Sequence, residues 1–208
     1  MSLAIFRELS NRYGANPSCV LAGGGNTSYK DEKYLYVKPS GVALADITES
    51  DFVKMEREVI RRVFSLPEYA DAAEREAMVT KLMAFAVTGS GTRRPSVEAP
   101  LHELMPFTYI VHLHPAAVNG LTCSQNGPEE CAKLFPEALW IPETDPGFTL
   151  AKTVHDASVK YEAAHGRPAS MIFLQNHGVF VGGDSTQEID AAYDRILSTL
   201  RTVYEKAG

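Results

Sequence analysis

"TYIVHLHP", residues 108–115, is a run of β-branched and aromatic residues that ends at a proline and carries two histidines. Such a run predicts a strand that closes at Pro115. Alternate residues of a strand point to the same face of a sheet, so His112 and His114 are expected to project side by side. The two imidazoles of this strand are therefore placed so that both could face one ion.

A third histidine, His177, lies in the second clear strand, "SMIFLQNHGVFVGG" (170–183), where Gly178 lets the chain turn and approach a neighbour closely. Neutral imidazole is a good zinc ligand, and catalytic zinc sites usually have three protein ligands. The alternative is that the paired histidines form an exposed edge and that His177 is a turn residue bonded to the backbone. The residues alone leave both interpretations open.

Glu98 lies upstream in "RRPSVEAPLHELMP" (93–106), where Ser96 is a candidate N-cap and Glu98 falls in the first helical turn. A carboxylate there is suited to bind a metal or act as a base. It is equally suited to compensate the helix dipole, worth about 0.3–1 kcal/mol. His102, four residues on, lies on the same helical face and is expected to support Glu98 or a metal ligand.

Two loops are rich in small polar residues. "AGGGNTS" (22–28) combines glycines with amide and hydroxyl donors, a composition that suits a phosphate cradle, but it matches neither a Walker A nor a GxGxxG pattern. "KPSG" (38–41) places Lys38 beside a second such loop. Lys38 either pairs with an anion or is solvated at the surface.

Strand and helix patterns alternate along the whole length, without repeats or long linkers. The apolar residues before the glycine loop predict a strand, followed by further strands on each side of "KDEK" (30–33). Helices are predicted over residues 3–14, 46–64, 65–87, 149–166 and 186–208, with Thr48 and Asp51 as a capping box. One α/β or α+β domain with a central sheet follows from this order.

The composition limits the function classes. The 208 residues are 45% hydrophobic and 22% charged, and the net charge is −6 with dispersed basic residues, so we expect a soluble fold that does not bind nucleic acid. No apolar run approaches the roughly 18 residues of a membrane span, and no signal peptide begins the chain, which favours a cytoplasmic location. Three cysteines without a pattern predict reduced thiols.

Six motifs in order resemble the class II aldolase and adducin family, which includes fuculose- and rhamnulose-1-phosphate aldolases and ribulose-5-phosphate 4-epimerase. They are "GGGNTS" (23–28), "KPSG" (38–41), "PSVE" (95–98), "HLH" (112–114), "IPETDPGFTLA" (141–151) and "NHGVFVGG" (176–183). The resemblance implies a single α/β/α-layered domain over residues 1–208 with a mostly antiparallel central sheet. It also implies a homotetramer with active sites at subunit interfaces.

The resemblance carries roles onto individual residues. His112, His114 and His177 are the expected ligands of a divalent metal, most simply zinc, and Glu98 is the expected catalytic acid/base. The expected phosphate and substrate contacts are Gly25, Asn26, Thr27, Ser28, Ser40, Gly41 and Ser96. Val97 departs from the pattern, because the aldolases often have a second small hydroxyl residue there. The chain as printed ends at "VYEKAG" (203–208), so the C-terminal tail with a catalytic tyrosine is not expected.

The implied activity is cleavage of a ketose 1-phosphate to dihydroxyacetone phosphate and an aldehyde through a metal-stabilised enediolate. One fold hosts several functions. The alternatives are therefore a 4-epimerase, dehydratase or decarboxylase reaction at the same site, or a non-catalytic adducin-like module. "GGGNTS", "VKPSG" and "PGFTLA" are also similar to the aldolase part of bifunctional rhamnulose-phosphate aldolase/alcohol dehydrogenases. On that similarity, the chain is one domain of a longer product.

Overall fold

A computed structural model describes residues 3–21, 24–67, 69, 71–89 and 93–207. Within these residues, seven strands form one sheet in the order β3-β2-β1-β4-β7-β6-β5. Every neighbouring pair is antiparallel except β5 and β6, which are parallel. The strands are β1 (Asn26–Lys30), β2 (Tyr34–Val37), β3 (Val53–Glu56), β4 (Tyr109–Leu113), β5 (Leu139–Ile141), β6 (Met171–Leu174) and β7 (Gly178–Gly183).

The helices cover both faces of this sheet. They are α1 (Leu3–Gly14), α2 (Arg57–Arg61), α3 (Ala72–Ala86), α4 (Ala99–Leu104), α5 (Ala116–Thr122), α6 (Gly127–Leu134), α7 (Phe148–His165) and α8 (Thr186–Ala207). Short 3-10 turns occupy Leu44–Asp46, Glu49–Asp51 and Arg62–Ser65. None of the helices in the described part of the chain has the length and apolarity to cross a membrane. The three cysteines are unpaired.

The alternation of β4 shows how the layers arise. Tyr109, Val111 and Leu113 are buried in a core with side chains of α1, α5, α6 and α8. Ile110 faces the other way, into a core with side chains of α4 and α7. The period of two thus places successive residues against different helical layers. The expected α/β/α domain with a mostly antiparallel sheet is confirmed.

The helix predicted over residues 46–64 is wrong in its centre. Residues Val53–Glu56 form β3, which pairs with β2, and its residues alternate between buried and half-buried positions. A period of two over four residues is hidden within a longer pattern that also fits a helix. Asp51 does accept a hydrogen bond from the Thr48 N–H at 2.7 Å, but this capping box closes only the 3-10 turn at Glu49–Asp51.

Two strand predictions also need correction. The apolar residues before the glycine loop form a turn after α1, in which the Cys19 N–H donates to the Asn16 carbonyl, and Ala22 and Gly23 lie outside the described residues. The stretch at 170–183 is a hairpin of two strands, β6 and β7, rather than one. Asn176 makes its turn with a φ of 57°, in the left-handed region that asparagine tolerates. Helices α5 and α6 and strand β5 were not predicted.

Candidate metal centre and catalytic carboxylate

The end of β4 and the β6–β7 turn bring three imidazoles together. Nε2 of His112 lies 2.8 Å from Nε2 of His114 and 3.4 Å from Nε2 of His177. One nitrogen from each residue lies within 4.8 Å of the other two, close enough for the three to hold one metal ion. The structure therefore brings together the three ligands that the sequence predicted.

The hairpin reaches β4 because Gly178 has no side chain. A Cβ atom at this position would lie 2.5 Å from both the Leu113 carbonyl oxygen and Cδ2 of His114. The pairing of His112 with Phe180 fixes the register of the two strands. The close approach expected at Gly178 is thus present, and it carries His177 to the end of the neighbouring strand.

His112 is held by contacts on the side away from the other two histidines. Its Nδ1 donates to the Val179 carbonyl at 3.1 Å, and its ring stacks on Phe180 with 3.9 Å between centroids. Burial and the two neighbouring imidazoles lower the pKa of His112 well below its ordinary value. Burial also lowers the pKa of His114. Neutral His112 therefore presents the Nε2 lone pair toward the other histidines, as a metal ligand requires.

Glu98 completes the group from α4. Its Oε2 lies 3.6 Å from Nε2 of His112, and its Oε1 lies 3.7 Å from Nε2 of His177. Glu98 is the N-cap of α4, not a first-turn residue, and Ser96 Oγ instead accepts from the Glu98 N–H at 3.2 Å. The predicted N-cap at Ser96 is therefore two residues too early.

These residues fit a divalent metal ion by their own chemistry. Glu98 Oε1 is buried and has no hydrogen-bond partner, a state that costs free energy unless a charge faces it. Nitrogens that bind one zinc ion at about 2.0–2.1 Å lie roughly 3.3 Å apart in tetrahedral geometry, close to the His112–His177 separation of 3.4 Å. The shorter His112–His114 contact fits a hydrogen bond between two imidazoles. Three imidazoles and a carboxylate form a donor set typical of zinc.

The first predicted phosphate loop is only partly directed at this centre. Asn26 lies beside Glu98 and donates from Nδ2 to its Oε2 at 2.6 Å. The Thr27 hydroxyl lies on the opposite face of the sheet, 2.8 Å from Ser10 Oγ in α1. The Ser28 hydroxyl is buried 2.7 Å from Nδ1 of His102. The structure brings neither hydroxyl to the metal centre, and phosphate binding by these residues stays a prediction.

The second and third predicted phosphate segments lie side by side. Ser96 N–H donates to the Lys38 carbonyl at 3.1 Å, and Ser40 Oγ donates to the Pro95 carbonyl at 3.1 Å. A cavity of about 320 Å³ is lined by Ser40 and Ser96, among others. Gly41 has a φ of 82° and open space at its Cβ position. Gly25, with a φ of 68°, packs against the His112 carbonyl instead.

Lys38 is buried, so the interpretation as a solvated surface lysine is wrong. Burial lowers the pKa of Lys38, and the attraction of Glu98 opposes that change. The Lys38 side chain therefore lies within electrostatic reach of the Glu98 carboxylate and begins the second small polar loop.

Some supporting residues could not be found from sequence. His102, expected to support Glu98 or a metal ligand, is linked to Glu98 through Asn26, whose Oδ1 faces Nε2 of His102. Only the pairing of β1 with β4, which sets Asn26 opposite His112, reveals that link. Phe180 and Tyr193 carry no signal of their own, because aromatic residues in a strand or helix most often belong to the core.

A comparison with models of known families shows which family this chain belongs to. A family model described as Class II Aldolase and Adducin N-terminal domain matches residues 8–203. The chain belongs to the class II aldolase and adducin family. The resemblance carried by the six motifs is thereby confirmed.

A curated relative and three solved structures are similar to this class II aldolase chain. The uncharacterized oxidoreductase YuxG of Bacillus subtilis (strain 168) is 27% identical over 202 residues, which are 92% of this chain and 27% of that protein. The chain thus spans about a quarter of the length of that relative.

The N-terminal class II aldolase domain of a conserved protein from Thermoplasma acidophilum is 26% identical, with a TM-score of 0.77 over 95% of this chain and 91% of that one. L-fuculose-1-phosphate aldolase from Thermus thermophilus is 17% identical, with a TM-score of 0.62 over 99% and 95% of the two chains. The sugar-phosphate aldolase from Thermotoga maritima is 17% identical, with a TM-score of 0.60 over 96% and 90%. At 17% identity, the last two structures show only that they share the fold of this chain.

Proposed function

We propose that this chain is a metal-dependent sugar-phosphate aldolase that cleaves a ketose 1-phosphate to dihydroxyacetone phosphate and an aldehyde. The observation that carries the proposal is the position of Glu98. Its carboxylate lies 3.6 and 3.7 Å from two of three converging imidazole nitrogens, with Oε1 buried and unpaired. A group that transfers protons beside a metal needs this combination of proximity and a free oxygen.

His112, His114 and His177 would hold the ion, for which we propose zinc. A bound divalent ion supplies a Lewis acid that polarises a substrate carbonyl and stabilises the negative charge that develops beside it. Glu98 accepts or returns a proton at Oε1, because Oε2 is already bonded to Asn26. In the cleavage, the C4 hydroxyl gives its proton to Glu98 and C4 becomes the carbonyl carbon of the aldehyde. The C3–C4 bond breaks, its electron pair passes toward the C2 carbonyl, and Glu98 then returns the proton to C3.

The phosphate end of the substrate is assigned to the loops that meet near Lys38. Ser40 and Ser96 line an open cavity. Gly41 follows Ser40 in the same loop, and the buried Lys38 lies two residues before Ser40. A lysine side chain and serine hydroxyls beside an open cavity suit an anionic group. The other expected contacts, Gly25, Asn26, Thr27 and Ser28, lie on the β1 side of the centre.

Three further properties complete the proposal. Residues 1–208 form one cytoplasmic domain, and they assemble as a homotetramer with active sites at subunit interfaces. This domain is part of a longer product. The 27% coverage of a curated relative that is called an oxidoreductase supports the last point.

The decisive experiment is a retro-aldol screen. Chelator-treated protein is reloaded with Zn²⁺, Mn²⁺, Co²⁺ or no metal, and each preparation is incubated with rhamnulose, fuculose and ribulose phosphates. Metal-dependent release of dihydroxyacetone phosphate supports the proposal. An isomerised pentose phosphate or release of CO₂ instead points to the epimerase or decarboxylase alternative. The absence of both metal uptake and turnover would favour a non-catalytic module.

A further inference from the structure

A chain of buried side chains runs from β1 to Glu98. Ser28 Oγ lies 2.7 Å from Nδ1 of His102, and Nε2 of His102 contacts Oδ1 of Asn26. Nδ2 of Asn26 then lies 2.6 Å from Oε2 of Glu98. His102, Ser28 and Asn26 are all buried, so water does not compete for these hydrogen bonds.

The direction of each hydrogen bond follows from its neighbour. A Glu98 carboxylate only accepts hydrogen bonds, so the amide nitrogen of Asn26 faces it and the amide oxygen faces His102. Nε2 of His102 must then carry the proton, and Nδ1 accepts from the Ser28 hydroxyl. Burial lowers the pKa of His102 to about 3, so the ring is neutral, and the contact with the Asn26 amide oxygen selects the Nε2–H tautomer.

We propose that His102 is a positioning residue that fixes the orientation of the Glu98 carboxylate through the Asn26 amide. Without the His102 N–H, the amide could rotate and present its oxygen to Glu98, where two acceptors would repel. With it, Oε2 is committed to Asn26 and Oε1 is left unpaired, 3.7 Å from Nε2 of His177. The inference rests on the proposed acid/base role of Glu98.

The same contacts change what is expected of Asn26. Its amide oxygen is engaged by His102 and its amide nitrogen by Glu98, so both ends of the side chain are used within the protein. Asn26 then acts on the carboxylate rather than as a side-chain donor to phosphate. A phosphate contact and a positioning role predict different kinetic effects, because the first acts on KM and the second on kcat.

The backbone that carries His102 is anchored, which makes it a rigid support. Nζ of Lys30 donates to the His102 carbonyl at 2.8 Å and also contacts the Met105 carbonyl. Glu103, next in the chain, accepts from Nε of Arg57 at 2.9 Å and from Nε of Arg61 at 2.8 Å. Strand β1 thus carries Asn26 and Ser28, which contact the His102 ring, and also anchors the end of α4 through Lys30.

Two variants of His102 separate positioning from packing. His102→Gln retains an amide N–H near the position of Nε2, whereas His102→Asn places its amide near Nδ1 and leaves Asn26 without a donor. If His102 positions Glu98, His102→Asn lowers kcat by roughly 10–100-fold with little change in KM or zinc content, and His102→Gln restores most of the loss. Equal losses in both variants, or an effect on KM alone, would overturn the inference.

Asn26→Ala and Ser28→Ala remove the two hydrogen-bond partners of the His102 ring, so they test the inference even if both His102 variants misfold. The inference predicts that Asn26→Ala lowers kcat and leaves the inhibition constant of inorganic phosphate unchanged. Weaker phosphate inhibition at an unchanged kcat would assign Asn26 to the phosphate site instead. Ser28→Ala is expected to lower kcat less than Asn26→Ala does. It removes only the hydrogen bond that Nδ1 of His102 accepts and leaves the contact between His102 and Asn26 in place.

NMR of the zinc-free protein tests the hydrogen bonds of His102 without measuring turnover. This test remains valid even if the protein cleaves no ketose phosphate. ¹⁵N-labelled histidine is expected to show His102 as the neutral Nε2–H tautomer from pH 8 to pH 5. In His102→Asn the side-chain amide resonances of Asn26 are expected to move, while the distant control His165→Asn leaves them in place. A His102 ring protonated at Nδ1, or unchanged Asn26 resonances, would contradict the inference.

Discussion

The Glu98 carboxylate bridges two histidines that come from different strand ends, with Oε2 at 3.6 Å from His112 and Oε1 at 3.7 Å from His177. This geometry exists because Glu98 is the N-cap of α4, which packs on the sheet face that carries Ile110. His112, two residues along β4, points to the same face. The carboxylate therefore approaches the three histidines from the helical layer. The candidate metal ligands and the candidate proton carrier lie within one small volume.

Removal of one histidine ligand is expected to abolish tight metal binding. His177→Ala leaves two imidazoles, so we expect zinc affinity to fall by more than about 100-fold, beyond the 10–100-fold effect of a supporting residue. Titration of metal-free protein with zinc in a calorimeter measures this loss. His165→Ala is the matched control, because His165 lies at the end of α7 with Nδ1 against the Tyr161 carbonyl. Equal zinc affinity in the two variants would contradict the assignment of His177.

Buried His102 is expected to make the protein less stable in acid. Its pKa is about 3 when folded, because of burial, and about 6.5 in an unfolded chain. Between these values the unfolded state binds a proton that the folded state does not, so stability falls as the pH drops below about 6.5, by up to about 1.4 kcal/mol per pH unit. Urea unfolding of metal-free wild type and His102→Gln at pH 7, 6 and 5 measures the effect. Parallel losses in the two proteins would contradict it.

Tyr193 is expected to stabilise the strand that carries the metal ligands. Its buried hydroxyl donates to the Val111 carbonyl of β4 at 2.9 Å. Tyr193→Phe should lower the free energy of unfolding by about 1–2 kcal/mol, because a buried acceptor loses its donor. Tyr204→Phe is the control: Tyr204 is exposed, so water can replace its hydroxyl, which donates to the Ala117 carbonyl at 2.7 Å. Urea unfolding that ranks the control as the more damaging change would refute this role.

Glu103 is expected to be the main ionic anchor of α4. Its side chain is 1% exposed and pairs with both Arg57 and Arg61. Glu103→Ala leaves the partly buried Arg57 charge uncompensated, so a loss of about 3–5 kcal/mol in the free energy of unfolding is expected. Glu130→Ala, which breaks the more exposed contact with Lys133, should cost less than about 1 kcal/mol. Similar losses in the two variants would show that Glu103 is not an anchor.

The convergence of His112, His114 and His177 could be predicted from sequence because local rules determine most of their geometry. A strand period of two places His112 and His114 together, and the glycine after His177 permits close approach. The distance of Glu98 from them could not be predicted, because it depends on the packing of α4 across the sheet. The same limit explains Asn26: its side chain meets Glu98 and His102 only through the pairing of β1 with β4.

The secondary-structure predictions were wrong where the residues fit both a strand period and a helix period, or where a segment is short. Val53 and Met55 are buried and Lys54 is half-buried, which is the alternation of a strand, but the surrounding residues 46–64 also fit a helix. Tertiary pairing with β2 decides in favour of the strand. The turn at Asn176 likewise divides a run that is apolar enough to continue as one strand.

The central claim is that Glu98 transfers protons beside an ion that His112, His114 and His177 hold. Its most direct test is the rate of dihydroxyacetone phosphate release by zinc-loaded Glu98→Gln, measured alongside zinc content. We expect kcat to fall by roughly 10²–10⁴-fold with one zinc ion still bound per chain. Turnover equal to that of the wild type, or loss of zinc together with turnover, would contradict the assigned role of Glu98.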